Sequence, residues 1–554
     1  MDIEKEYNKW LTAVKDEELL NELKSLNTKE IEDSFYRELE FGTGGLRGII
    51  GVGTNKLNVY TVGKASQGLA DYINTNFDKP SIAISYDSRI KSKVFAETAA
   101  AVFAANNISV YIYPCLMPTP CLSYAVRYFH CSAGVMITAS HNPSKYNGYK
   151  VYGSDGCQIT DEAAKAITSF IEKVDIFNDV KVDSFENGKQ KGLIKYIGNN
   201  VAKSFTKEVL KCDVLYGDEV DHDIKVIYTP LNGTGLVPVL DMLQEANFKN
   251  IIVVEEQKNP DGNFPTCPYP NPEIPEAMEL GIKYAKINKG DILLATDPDC
   301  DRVGVAIPKP NGEYRLLTGN EVGLLLLDFI CLQMNKHNKL PNNPYCVKTI
   351  VTIDMSEKIA KQYGVKVKNV LTGFKYIGEQ IGKDEDNFVF GFEDSCGYLN
   401  GTYVRDKDGV NGCFLIVEMA AYYKKRDISL YSKLMEIYDK FGFYKNSLYT
   451  FTFEGKDGMP KMKALMDSFR NECKEVSSFK VVDKTDYING LEGLPKSNVV
   501  KLLLDNGSSV VMRPSGTEPK LKAYLSMKGG SLDEAARYEQ MVVNSLNSII
   551  KSDS

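Results

Sequence analysis

Short apolar runs of strand length recur along the chain, separated by stretches with the spacing of helices. SIAISY (from Ser81) predicts a strand, KVFAETAAAVFAAN (from Lys93) a helix and ISVYIY (from Ile108) a second strand. AGVMITA (from Ala133) predicts a third, and its unbroken apolar character marks it as buried. The pattern resumes with IKVIYTP (from Ile224) and DILLAT (from Asp291), and again after Glu321, where a helical run leads on to NFVFGFE, ending at Glu393. Strand-then-helix alternation of this kind predicts α/β layers with largely buried sheets. The last hundred or so residues differ. NVVKLLL and SSVVM flank Asp505-Asn506-Gly507-Ser508, a hairpin signal, and DEAARYEQMVVNSLNSIIK predicts a closing helix with a polar face. The expectation is three α/β units followed by a smaller α+β domain, which suits a length of 554 residues.

Composition narrows the function classes more than the fold. Hydrophobic residues make up 43% and charged residues 25%, the values of an ordinary globular chain. A net charge of −7 argues against general binding to nucleic acid or anionic membrane, though a local cluster of cations could still hold a small anion. The richest apolar run, GLLLLDFI, is too short to span a bilayer, and MDIEKEYNKW has none of the features of a secretory signal. The 12 cysteines lie singly with no C-x-x-C pair, so neither a zinc site nor a disulfide framework is expected, and a reducing cytoplasm is the expected setting.

Chemistry concentrates where the strands end. Asp297-Pro298-Asp299-Cys300-Asp301-Arg302 follows DILLAT, and three carboxylates at alternate positions call for a cation, with hard oxygen ligands suited to Mg²⁺ or Ca²⁺. An EF-hand is excluded, since that loop would need glycine at Arg302 and glutamate at Pro308. Arg513-Pro514-Ser515-Gly516-Thr517-Glu518-Pro519-Lys520 offers a guanidinium and hydroxyls of the kind that cradle phosphate. Gly42-Thr43-Gly44-Gly45-Leu46-Arg47-Gly48 is glycine-rich but matches neither a Walker A loop nor GxGxxG. Gly391-Phe392-Glu393-Asp394-Ser395-Cys396-Gly397 ends a strand in groups able to hydrogen-bond sugar hydroxyls. The fifth loop, TASHNPSKYNGYK (from Thr138), is not a G-x-S-x-G elbow. His141 adjoins Ser140, so a direct Ser–His dyad is expected to be awkward. A serine cycling through phosphoserine accounts for the set better, because its phosphate would supply the oxygen that three aspartates leave open. Each loop alone reads as a polar turn; the five together do not.

These motifs resemble the α-D-phosphohexomutase superfamily, in its order from Gly42 to Lys520. TASHNPSKYNGYK resembles its phosphoserine loop, DPDCDR its metal loop, GFEDSCG its sugar loop and RPSGTEPK its phosphate-binding loop. GTGGLRG, TGFKYIG (from Thr372) and RPSGTEPK are most similar to the branch holding the long bacterial and eukaryotic type-2 members. The resemblance implies three related α/β domains with mixed sheets plus a C-terminal α+β domain around a central cleft. The boundaries expected are 1–205, with an N-terminal helical extension, 206–322, 323–445 and 446–554.

It further implies reversible interconversion of glucose 1-phosphate and glucose 6-phosphate. Ser140 would be the phosphoryl carrier, Asp297, Asp299 and Asp301 the Mg²⁺ ligands beside a phosphoserine oxygen, and glucose 1,6-bisphosphate the intermediate and activator. Glu393 and Ser395 would hold sugar hydroxyls, and Arg513, Ser515, Gly516 and Thr517, joined by Lys520, the other phosphate. Arg302 would stabilise charge on the bound phosphosugar, with Arg47, Lys375, His141 and Lys150 near the reacting centre. Lys150 could serve as a base only if neighbouring cations lowered its pKa. Phe374, Tyr398 and Asn232 stand where relatives often have histidine. Mannose and pentose phosphates by the same mechanism, a metal-dependent phosphatase and a non-catalytic sensor are the alternatives. The expected partner is a phosphosugar alone, bound by a monomer or weak homodimer.

Overall fold

The computed structural model describes residues 2–42, 44–453, 458–491, 493–515 and 520–552. Four sheets follow one another along the chain. In the first, Ser81–Tyr86, Ser109–Ile112, Ala133–Ile137 and Ile194–Tyr196 run parallel, and Tyr146–Gly153 and Gly45–Ile49 add antiparallel at one side. The second has parallel Val226–Thr229, Ile251–Val253 and Ile292–Thr296, then antiparallel Val303–Pro308 and Tyr314–Leu317. The third has parallel Lys366–Val370, Tyr345–Thr349 and Phe388–Glu393, then antiparallel Gly397–Leu399. The fourth is antiparallel throughout, with the expected hairpin joining Val500–Leu504 to Ser509–Pro514. Three α/β units and an α+β unit at the C-terminus are the architecture the pattern predicted, and the mixed sheets are what the resemblance implied.

One device recurs in the first three sheets. A buried parallel strand reaches its C-terminal end, turns, and returns antiparallel: Ala133–Ile137 into Tyr146–Gly153, Ile292–Thr296 into Val303–Pro308, Phe388–Glu393 into Gly397–Leu399. Each turn holds a non-glycine residue in the left-handed region, Ser140 at φ 52°, Cys300 at φ 52° and Cys396 at φ 60°. Such residues are uncommon and persist where the surroundings impose the conformation. The three turns are the serine, aspartate and glutamate loops of the sequence.

Packing locks these turns together. Helix Gly409–Lys424 is buried on every side but its last residue, which explains its lack of an amphipathic stripe. It lies among elements of the second and third units, including Leu236–Glu245, Val303–Pro308 and Gly397–Leu399, in a core shared by both. Helix Gly319–Lys336 starts on a Thr318/Glu321 capping box directly against the third turn. A side chain at Gly319 would stand 2.1 Å from the Asp394 carbonyl oxygen, so only glycine permits the approach. At the N-terminus, helices Ile3–Ala13, Glu17–Ser25 and Thr28–Phe35 pack onto the first unit through Trp10, which meets Phe35, Tyr60 and Phe177 edge to face. No helix among the described residues is long and apolar enough to cross a membrane.

The fourth unit hangs on a short connection. Helix Leu430–Phe441 passes through Gly442, at φ 106°, into strand Phe443–Thr452. Lys501 reaches back to the third unit, donating to both Asp354 carboxylate oxygens at 2.8 and 2.7 Å, while buried Lys348 donates to one at 2.9 Å. Burial pushes the Asp354 carboxyl up, but the two lysines outweigh it and hold it at about 2. Its contribution is therefore complete above the unfolded value of about 3.9 and is lost as pH falls through about 2. Asp354→Asn at neutral pH should speed amide exchange along Val500–Leu504 by roughly 1.5- to fivefold, the range of a partly exposed pair. Exchange in the first sheet should not change; an unaltered Val500–Leu504 profile would show that the ion pair does not hold the fourth unit.

Candidate active site

The second turn packs three carboxylates into the interior. Asp297, Asp299 and Asp301 are all buried, and one oxygen from each lies within 4.8 Å of the others. The backbone N–H groups of Asp301 and Arg302 donate to Asp297 Oδ1, both at 3.1 Å. Thr119 Oγ1 and Lys150 Nζ donate to Asp299 Oδ2 at 2.9 and 2.8 Å, and Lys407 Nζ lies 2.8 Å from Asp301 Oδ2. Burial and the neighbouring Asp299 push the Asp297 carboxyl well up. Burial acts the same way on Asp299, but Lys150 overrules it and holds that carboxyl below the ordinary range. Asp299 Oδ1 and Asp301 Oδ1 are buried without a hydrogen-bond partner among the described residues. An all-oxygen set with unspent acceptors fits a hard divalent cation.

The first turn brings the serine to this cluster. Ser140 Oγ donates to Asp297 Oδ2 at 2.9 Å and lies 3.2 Å from His141 Nδ1. Adjacency in sequence was expected to keep this pair apart. The left-handed backbone at Ser140 brings the two side chains within hydrogen-bond distance instead. Burial, with Arg302 and Arg47 nearby, pushes the imidazole well below its ordinary value, so His141 is neutral at pH 7. Lys150 behaves oppositely. Burial and Lys407 disfavour its charge, but Asp299 and Asp301 prevail and its pKa is raised. In this arrangement it is an ammonium, and the condition set for a basic Lys150 is not met by the protein's own charges.

The other candidates surround the pair at different distances. Arg47 Nη1 donates to Asn142 Oδ1 at 3.3 Å across the serine loop. Arg302 pairs with Glu273, while its own N–H serves Asp297. Glu393 is buried at the end of its strand and accepts from the Gly373 N–H at 3.0 Å; Ser395 follows, half-buried, in the third turn. Lys375 donates to Asp161 Oδ1 at 2.7 Å, an ion pair between the first and third units. Arg513 lies on the fourth sheet, in electrostatic reach of Tyr524 on the neighbouring strand and of Tyr376 on the third unit. The Ser515 N–H donates to the Lys520 carbonyl at 2.7 Å across the same hairpin. Gly516 and Thr517 lie outside the described residues.

Comparison with known proteins covers all four units. Residues 38–176, 203–312 and 318–441 match the alpha/beta/alpha domains I, II and III described for phosphoglucomutase/phosphomannomutase, and residues 470–545 match its C-terminal domain. A phosphoglucomutase of Staphylococcus saprophyticus is 37% identical, over 98% of this chain and 99% of its own. The chain belongs to the phosphoglucomutase/phosphomannomutase family. A phosphoglucomutase of Staphylococcus haemolyticus is 35% identical over 95% of this chain and 97% of its own. The fold is shared with the Paramecium phosphoprotein parafusin, with a TM-score of 0.73 at 17% identity, covering 94% of this chain and 96% of that one.

Within this family member, the residues at the histidine departures are packed into the fold. Tyr398 is buried with its hydroxyl 3.5 Å from the Gly319 carbonyl, Phe374 is buried at a helix start, and Asn232, at φ 57°, donates to the Asn259 carbonyl at 2.8 Å. Sequence reasoning missed Lys407 and Thr119, which reach the aspartates from the third and first units. It also missed Glu273, the partner of Arg302. The signal available was the YVRDKDG run, whose alternating charges precede a helix and read as a cap. Asp299→Asn removes a charged oxygen from the cluster and should raise the Mg²⁺ concentration needed for half-maximal thermal stabilisation at least about tenfold. An unchanged titration would remove Asp299 from the metal site.

Proposed function

We propose that this enzyme, an isomerase acting by intramolecular phosphoryl transfer, interconverts glucose 1-phosphate and glucose 6-phosphate with Ser140 as carrier and Mg²⁺ on the three aspartates. One observation carries the reading, the 2.9 Å hydrogen bond from Ser140 Oγ to a buried carboxylate of that triad. No simple polar turn would bury three acids around a serine. The similarity to proteins named phosphoglucomutase supports glucose as the sugar.

The free sugar hydroxyl attacks the phosphorus on Ser140; a bond forms to the sugar oxygen, the bond to Ser140 Oγ breaks, and glucose 1,6-bisphosphate results. The hydroxyl proton leaves the sugar and Ser140 Oγ regains one. The bisphosphate turns over and returns its other phosphate to Ser140. A bound Mg²⁺ would polarise the phosphoryl oxygens and offset charge built up in transfer. Neutral His141, 3.2 Å from Ser140 Oγ, is placed to hold the proton at that atom. Lys150, Lys407 and Arg302 surround the aspartates with positive charge. Glu393 and Ser395 would hold sugar hydroxyls, and Arg513 and its hairpin the distal phosphate. A connection as thin as Gly442 lets the fourth unit close over substrate and keep water from the phosphoenzyme. The proposed partner is a phosphosugar, and the proposed form is a cytoplasmic monomer or weak homodimer.

Turnover on glucose 1-phosphate, mannose 1-phosphate and ribose 1-phosphate, with Mg²⁺ and a trace of bisphosphate, tests the reading. Glucose 1-phosphate should give the highest kcat/KM, and Ser140→Ala should lower kcat by more than about 10⁴-fold. A mannose or ribose preference would overturn the substrate. Phosphate release without isomerisation, surviving the mutation, would overturn the mechanism.

A further inference from the structure

The strand Ser81–Tyr86 runs into Asp87-Ser88-Arg89, a turn with no role in the transfer described above. Both charged side chains are nonetheless buried, Asp87 2% and Arg89 3% exposed. The Arg89 guanidinium spends its donors on main-chain carbonyls of one loop. Nη2 donates to the Ser140 carbonyl at 2.5 Å and to that of Asn142, and Nη1 to those of Pro143 at 2.9 Å and Tyr146 at 3.0 Å. Asp87 works at the other end of the same residue. Its Oδ2 accepts from Thr138 Oγ1 at 2.6 Å, and that hydroxyl oxygen accepts the Ser140 N–H at 2.8 Å. Asp87 Oδ1 is held by Ser92 Oγ at 2.7 Å and by the Arg89 N–H at 2.9 Å. Arg89 Nε faces Asp87 Oδ2 at 3.4 Å, and the guanidinium lies 5.1 Å from the Phe264 ring centre of the second unit.

We infer that Asp87 and Arg89 are positioning residues for phosphoryl transfer, gripping the N–H and the C=O of Ser140 and imposing the left-handed backbone that aims its Oγ at Asp297. The backbone at Ser140 is over-determined by its surroundings. Serine has no preference of its own for φ 52°, and a residue kept there must be held by its surroundings. Here the hold comes from one ion pair acting at both ends of the residue. A guanidinium is required because its planar fork reaches four carbonyls at once, which an ammonium cannot. The inference rests on Ser140 being the carrier.

The test compares the wild type with Arg89→Lys and Thr138→Val, using glucose 1-phosphate, Mg²⁺ and a trace of bisphosphate. Arg89→Lys keeps the charge and loses the fork; Thr138→Val keeps the shape and cuts the link from Asp87 to the Ser140 N–H. In folded protein, kcat should fall about 100-fold in Arg89→Lys and about tenfold in Thr138→Val. KM should stay within about threefold, and phosphorylation of Ser140 by the bisphosphate should slow in step with kcat. Isomerisation by the wild type, lost in Ser140→Ala, checks the carrier reading separately. With that control met, a wild-type kcat in folded Thr138→Val or Arg89→Lys would overturn the positioning role. So would a fall in activity that follows only the folded fraction.

Discussion

Three carboxylates buried within 4.8 Å of one another are the constraint on which the rest of the site depends. Uncompensated acids would not stay ionised in such a place. The fold answers with cations brought from two other units, Lys150 from the first and Lys407 from the third. Thr119 and Ser140 add hydroxyl donors from the first unit. The aspartate loop therefore ties three α/β units together. Two acceptors of the cluster, Asp299 Oδ1 and Asp301 Oδ1, still lack hydrogen-bond partners among the described residues, which is the feature that asks for a cation.

The means of delivery is repeated. In each α/β unit a buried parallel strand ends in a turn with one left-handed residue and returns antiparallel, so the functional groups project from strand ends backed by packed sheets. Gly148 shows how tight the first of these is, since a side chain there would stand 2.4 Å from the Thr138 carbonyl oxygen. Rigid strand ends give precise placement, and the fourth unit is joined to the third through Gly442 and the Asp354–Lys501 pair.

Much of this was legible in the chain itself. Apolar runs such as SIAISY and DILLAT fold as strands because burial on both faces rewards continuous apolar sequence, and the polar loops after them were readable as sites. The return strand Tyr146–Gly153 was not, because Asn147 and Gly148 are turn formers that here serve packing and hydrogen bonding. Lys407 and Arg89 were hidden for another reason. Each sits in a charge-bearing turn that reads as a helix lead-in, and its partners lie far off in sequence. The reach of His141 to Ser140 depended on a backbone angle that no spacing reveals. The charge state of Lys150 likewise depends on the balance of Asp299, Asp301 and Lys407 in three dimensions.

The central claim is that Ser140 carries the phosphate. It is tested most directly by incubating the wild type with Mg²⁺ and glucose 1,6-bisphosphate labelled with radioactive phosphorus, then mapping the label by digestion. The account predicts label on the peptide holding Ser140, removed by unlabelled glucose 1-phosphate no more slowly than the enzyme turns over. Label on the Asp297–Asp301 peptide, or label on Ser140 that the sugar phosphate does not remove, would contradict it.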